Sequence, residues 1–218
     1  FRARHLLMGF GIWFIGYWFF PNLSYVLGMG WFLALFVTLF LFLYIRMDLR
    51  LALSLSFIGS VSAVFFTVLL DNVLVNNFFI LAGLVGAASL FVTYSALSLK
   101  WVMVLSCAFF LYDALFVLIL PDTAEAVLEA AQSTAFKNVI TFGKFQLGSG
   151  DVFLTLFYTA WFFRRYGARR ALIATALFVA PLILLPLVFS KGFLIPYSVF
   201  IVPIFFMLEG FYRRLFNP

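Results

Sequence analysis

Long apolar runs with almost no charge inside them decide what this chain can become. Eight are readable, at roughly 6–20, 23–45, 51–70, 78–97, 101–121, 145–163, 171–190 and 193–212. Most approach the ~20 residues that a helix needs to cross the hydrocarbon of a bilayer. Within that layer the backbone has to satisfy its own hydrogen bonds, and runs of this length do so as helices. Composition agrees: 66% of the residues are hydrophobic and 10% are charged, with a mean hydropathy of +1.17. A water-soluble fold could not cover its surface with so few polar groups. The sequence therefore predicts an all-α membrane protein. It is read as a single polytopic helical bundle over 1–218, with about eight transmembrane helices divided between 1–100 and 101–218.

Charge tests the helix count. If eight helices alternate, one face receives both ends of the chain and the loops near 46–50, 98–100 and 164–170. That face collects Arg2, Arg4, Arg46, Arg50, Lys100, Arg164, Arg165, Arg169, Arg170, Arg213 and Arg214, and the other only Lys137, Lys144 and Lys191. Eleven against three is a strong positive-inside bias and predicts that both ends are cytoplasmic. The net charge of +6 thus marks topology and excludes nucleic acid as the expected partner. The 33 Phe residues read as lipid-facing surface.

The longest loop, 122–144, falls on the far face. Asp122-Thr123-Ala124-Glu125 has the form of a capping box ahead of a short helix over 123–132. Asn138–Phe145 contains Val139, Ile140, Thr141 and Phe142 and reads as a strand. In the fourth run Ala82 and Gly86, and Gly83 and Ala87, are four apart, which allows close helix packing. Cys107 and His5 are each the only residue of their type, so no internal disulfide, metal site or cofactor is expected. Glu209 is read as an i,i+4 partner of Arg213 at the interface.

The chemistry rests on two aspartates in the runs. Asp113 lies thirteen residues after Lys100, and Asp151 thirteen before Arg164. At ~1.5 Å per residue each sits roughly 20 Å from the basic face, on antiparallel helices, so the two carboxylates can meet. A carboxylate at membrane depth is costly and marks function. Gly148 and Gly150 flank Ser149 just before Asp151, removing bulk where a backbone must come close. Two carboxylates a few ångströms apart do not both ionise easily, so one stays protonated. The ionised member activates water and the protonated one polarises a carbonyl, which is peptide hydrolysis by an aspartic-protease mechanism. An ion or proton pathway and a purely structural pair remain alternatives.

Tyr112-Asp113 in one helix and Gly148-Ser149-Gly150-Asp151 in the next resemble the paired motifs of the presenilin and signal peptide peptidase family of intramembrane aspartyl proteases. The family's Pro-Ala-Leu motif corresponds here to Pro196-Tyr197-Ser198, with only Pro196 retained; a helix kink at Pro196 is the plainer alternative. The resemblance covers about 101–218. It implies a catalytic pair, Asp113 and Asp151, with Tyr112, Gly148, Ser149, Gly150 and Pro196 around it. The family has nine helices, so its first is expected to lie outside this chain, which opens on Phe1 rather than Met. The charge bias matches the signal peptide peptidase orientation. The expected partners are the bilayer and transmembrane or signal-peptide substrates, with a second copy of the chain left open. Ile140, in the strand leading to Gly148, is read as a docking edge for unwound substrate. A prepilin-peptidase-like alternative would use Asp48, which Arg46 and Arg50 flank as a solvated ion pair.

Overall fold

Apolar stretches that must bond their own backbone form helices, and short polar signals set where each begins. The computed structural model describes residues 35, 36, 39, 43, 47–70, 72–94, 97–119, 139–142, 145–188 and 196–216, and these are mostly helical. Helix α1 spans Leu49–Leu70 and α2 spans Val73–Tyr94. Asp48 caps α1 by accepting from the Leu51 N–H at 2.8 Å. Asn72 caps α2 by accepting from the Leu74 N–H at 2.9 Å. Both are N-cap residues that satisfy orphan first-turn donors. Helix α3 spans Leu99–Asp113 and continues as a turn of π-helix over Ala114–Ile119.

Strands β1 (Val139–Phe142) and β2 (Phe145–Gly148) form an antiparallel pair, with Ile140 opposite Leu147. Then follow α4 (Ser149–Tyr166), α5 (Ala168–Val188) and α6 (Tyr197–Phe216). One residue, Gly167, turns α4 into α5 with φ 84. Its missing side chain is what makes this left-handed conformation inexpensive.

The helices α2 and α5 are long and apolar enough to cross a membrane. The sequence boundaries shift at one informative place. Residues 145–148, expected as the start of a helix, are strand β2, because Phe145–Gly148 pairs with the β-branched segment before it. The strand expected over 138–145 is present as Val139–Phe142. Of the run 23–45 only Leu35, Phe36, Leu39 and Leu43 are described, all helical. The run 6–20, His5, and the helix expected over 123–132 lie outside the described residues.

Helix α4 is central: it packs on α2, α5 and α6, while β1 rests on α2. Gly83 and Gly86 are buried in α2, as close approach to a neighbour requires. Phenylalanine serves the interior as well as the outside. Phe157, Tyr158 and Phe162 of α4 are fully buried with Phe178 of α5 and Phe205 of α6. Tyr158 and Phe205 stack at 4.1 Å between centroids. Large apolar side chains are instead exposed outside, including Leu74 (77%), Met207 (74%) and Leu172 (72%), while Ser56, Asn76, Asn77 and Thr155 are buried. Exposed apolar surface on this scale marks contact with something other than water.

Basic residues gather at one end. Arg164 of α4 donates to the Val92 carbonyl near the end of α2, and Arg170 of α5 covers the Phe216 ring of α6 at 3.6 Å. Arg165, Arg213 and Lys100 meet at one cavity. Helices α2, α4 and α6 therefore end where α3 and α5 begin.

Candidate active site

At the other end, α3 finishes, α4 begins and α6 begins. A buried hydrogen bond sets α3 against α4: the Tyr158 hydroxyl donates to Ser106 Oγ at 2.6 Å, and Ser106 passes the bond to the Val102 carbonyl at 2.7 Å. Ser106 lies seven residues before Asp113 and Tyr158 seven after Asp151. Seven residues are close to two helical turns, so on antiparallel helices this bond brings both aspartates to one level and one side. The carboxylates lie within Coulomb range of each other. The matched depth read from Lys100 and Arg164 is thus realised by a specific contact between the helices. Tyr158→Phe is expected to lower stability by about 1 kcal/mol, the net worth of such a bond. Adding Ser106→Ala should cost little more, because the partner is already gone. Thermal unfolding in detergent reads both, and an unchanged midpoint in Tyr158→Phe would deny the bond its role.

Asp113 also caps α6. Its Oδ2 accepts the backbone N–H of Ser198 at 2.9 Å, and the Ser198 hydroxyl donates to the Phe109 carbonyl at 3.0 Å. The first N–H groups of a helix have no intrahelical partner, and a carboxylate there satisfies one of them. Pro196 explains why the helix starts at this point. It is buried, lies just outside α6, and its carbonyl accepts from the Val199 N–H at 3.1 Å. It is a helix-entry residue and not a kink; the proline inside α6 is Pro203. Tyr197, also buried, lies within electrostatic reach of Asp151. Tyr197 and Ser198 are therefore the residues of α6 next to the two aspartates.

The two glycines differ. A Cβ built on Gly148 would stand 3.1 Å from Asp151 Oδ2, whereas one on Gly150 meets nothing within 4 Å. Gly148 makes room for the carboxylate, and Gly150 leaves open surface beside it. Gly148→Ala is expected to displace Asp151 and cut activity roughly 10–100-fold, the scale of a small misplacement of a reacting group. Gly150→Ala should leave the carboxylate in place and change the rate far less. Equal effects of the two variants in a cleavage assay would refute this division.

Tyr112 is half-buried beside Asp113, and Ser149 opens α4 half-buried. Ile140 is fully buried. One sequence expectation needs correction. Glu209 is not an interfacial partner of Arg213. It is 4% exposed and joins α4, meeting Arg165 Nε at 3.4 Å and accepting from Trp161 Nε1 at 3.2 Å. It falls on the stripe of α6 that also buries Ile201, Val202, Phe205 and Tyr212, a helical period the charge pattern alone does not reveal. Asp48, the acid that a prepilin-peptidase-like reading would use, caps the start of α1. Sequence reasoning had no signal for the Ser106–Tyr158 bond. Ser198 was reachable, since a residue two beyond a helix-entry proline holds a free first-turn N–H. Among the described residues no group of three or more His, Cys, Asp or Glu is placed to hold a metal. Compared with models of known families, with curated proteins and with solved structures, the chain matches none.

Proposed function

We propose that this chain is an intramembrane aspartyl protease of the presenilin and signal peptide peptidase type, a polytopic bundle of about eight helices in this chain, cutting transmembrane or signal-peptide helices. The observation that carries the reading is that Asp113 and Asp151, on antiparallel helices, lie within electrostatic range of each other, with the start of α6 closing on Asp113. In this mechanism the pair shares one proton. With Asp113 Oδ2 held by the Ser198 amide, Oδ1 is the oxygen that exchanges a proton with the attacking water. Asp151 then polarises the scissile carbonyl, and its proton goes to the departing amine. Tyr197 walls the Asp151 side. The basic end lies in the cytoplasm, as the excess of Lys and Arg supports.

Substrate reaches the pair by unwinding, because a helix shields its own amides. Strand β1 has β2 on one side and no other strand partner among the described residues. Two residues separate the strands, so ladder bonds at the Phe142–Phe145 pair alternate to Ile140–Leu147. The N–H and C=O of Val139 and Thr141 then face the other edge, where an extended substrate adds as a third strand. Ile140 bonds inward and sits in the core, so a proline there would break the hairpin itself. Thr141→Pro is the clean test. It is expected to slow cleavage while leaving the melting midpoint nearly unchanged; normal cleavage would reject pairing at this edge.

The deciding experiment reconstitutes the protein in liposomes with a transmembrane peptide labelled at both ends. Mass spectrometry should find a cut within the apolar stretch, blocked by a peptide isostere carrying a hydroxyl in place of the scissile amide. Ion or proton flux without any cut would instead establish the transport alternative. In the same vesicles, Ala168→Cys in a Cys107→Ser background should react with an impermeant thiol reagent only from the cytoplasmic side.

A further inference from the structure

The end of the bundle away from the aspartates holds an open cavity of about 560 Å³ between the start of α3 and the ends of α4 and α6. Ser98, Lys100, Arg165 and Arg213 line its polar side, and Met103 and Val104 its apolar side. Arg165 is engaged by Glu209. Lys100 and Arg213 have no acidic partner among the described residues. Ser98 stands at the N-cap of α3 without making a side-chain cap bond. The first bonds to its carbonyl come from Trp101 and Val102, so the N–H groups of Leu99 and Lys100 have no intrahelical acceptor. Two uncompensated cations and the positive end of a 15-residue helix thus converge on one opening, the arrangement that holds phosphate.

A soluble anion would need only that opening. Here it continues into an apolar track. Val104, Cys107 and Leu111 follow Lys100 at helical spacing along α3, Leu115 follows in the π-helical turn beyond it, and all are exposed. Charge above a continuous apolar stripe fits an amphiphile. We propose that this cavity binds the phosphate headgroup of an anionic phospholipid, whose acyl chain lies along the exposed stripe of α3. Because α3 ends in Asp113, a lipid seated here also braces the helix that carries one aspartate. The inference rests on the bilayer part of the proposed function and not on proteolysis.

Cys107, the single cysteine of the chain, lies exposed on the stripe and accepts a bimane fluorophore. The labelled protein is reconstituted in phosphatidylcholine vesicles containing a minor share of phosphatidylglycerol, with bromines on the acyl chains of one lipid or the other. Brominated phosphatidylglycerol is expected to quench roughly tenfold beyond its share, on the scale of two basic side chains attracting an anionic lipid. The double variant Lys100→Gln/Arg213→Gln should lose that excess. Arg169→Gln/Arg214→Gln removes the same charge from the same end but outside the cavity, and should keep it; circular dichroism melting confirms that both fold. Quenching in proportion to lipid share, or equal loss in both double variants, would overturn the proposal. So would loss of the excess on adding inorganic phosphate, which would reassign the cavity to a soluble anion. Absence of quenching by either lipid would remove the bilayer reading, a different failure from loss of selectivity.

Discussion

Asp113→Asn and Asp151→Asn are each expected to reduce cleavage of a transmembrane peptide by at least about 100-fold, the lower range of what a positioned acid or base contributes. Asparagine keeps the shape of the side chain and removes the proton transfer. At Asp113 its carbonyl oxygen still accepts the Ser198 N–H, so the cap on α6 survives. At Asp151 the replacement fits the space that Gly148 leaves. Both variants should therefore unfold near the wild-type temperature. Their combination should be little worse than either alone, because the two carboxylates act as one unit. Substantial turnover by either single variant would take that residue out of the mechanism. Loss of activity accompanied by unfolding would leave the chemistry to a second pair of variants, Asp113→Glu and Asp151→Glu. These keep the acid but move it, and should also fall well below wild type.

The largest effect on stability is expected away from the aspartates. Glu209→Ala should destabilise the bundle by about 1–3 kcal/mol, the cost of leaving the buried Trp161 indole N–H without its acceptor. Glu209 satisfies Arg165 and Trp161 together, and Arg165 also lies 5.7 Å from the Trp161 and Tyr166 ring centroids. Truncation leaves the indole N–H without its acceptor, while the Arg165 guanidinium keeps its exposed side. Glu209→Gln keeps an acceptor for Trp161 and should cost less. Arg213→Ala, by contrast, should barely move the midpoint, since Arg213 faces the cavity and not Glu209. Denaturant titration in micelles compares the three. A larger loss for Arg213→Ala than for Glu209→Ala would restore the i,i+4 pairing that spacing alone suggests.

These two predictions draw on different sources. Asp113 and Asp151 stood out in the sequence because a carboxylate is chemically out of place in an apolar run, and counting from Lys100 and Arg164 already matched their depth. Glu209 gave the opposite signal. Four residues before Arg213 at a helix end, it looks like surface, and only the position of α4 reveals it as interior. Helix existence was legible for the same reason as the aspartates: twenty apolar residues in a row leave the backbone one way to bond itself. The strand at Val139–Phe142 was legible from its β-branched residues. Its partner Phe145–Gly148 was not, because a short apolar stretch running into a helix carries no period that separates strand from helix.

The sequence alone determined the helical segments α1 to α6, the gathering of basic residues at one end and the pair of acids near the other. These follow from local backbone bonding and from the cost of placing charge in an apolar run. Tertiary structure alone decided what each polar group meets. The Tyr158–Ser106 bond that sets the aspartates level, the Ser198 amide on Asp113, the room that Gly148 leaves for Asp151 and the turn of Glu209 toward Arg165 join residues 3 to 85 positions apart. Such contacts depend on the rotation of one helix about its axis against another. That rotation is fixed by the packing of Phe157, Tyr158, Phe162, Phe178 and Phe205 in a shared core, and side-chain interlocking of this kind has no signature in the order of residues along a single helix.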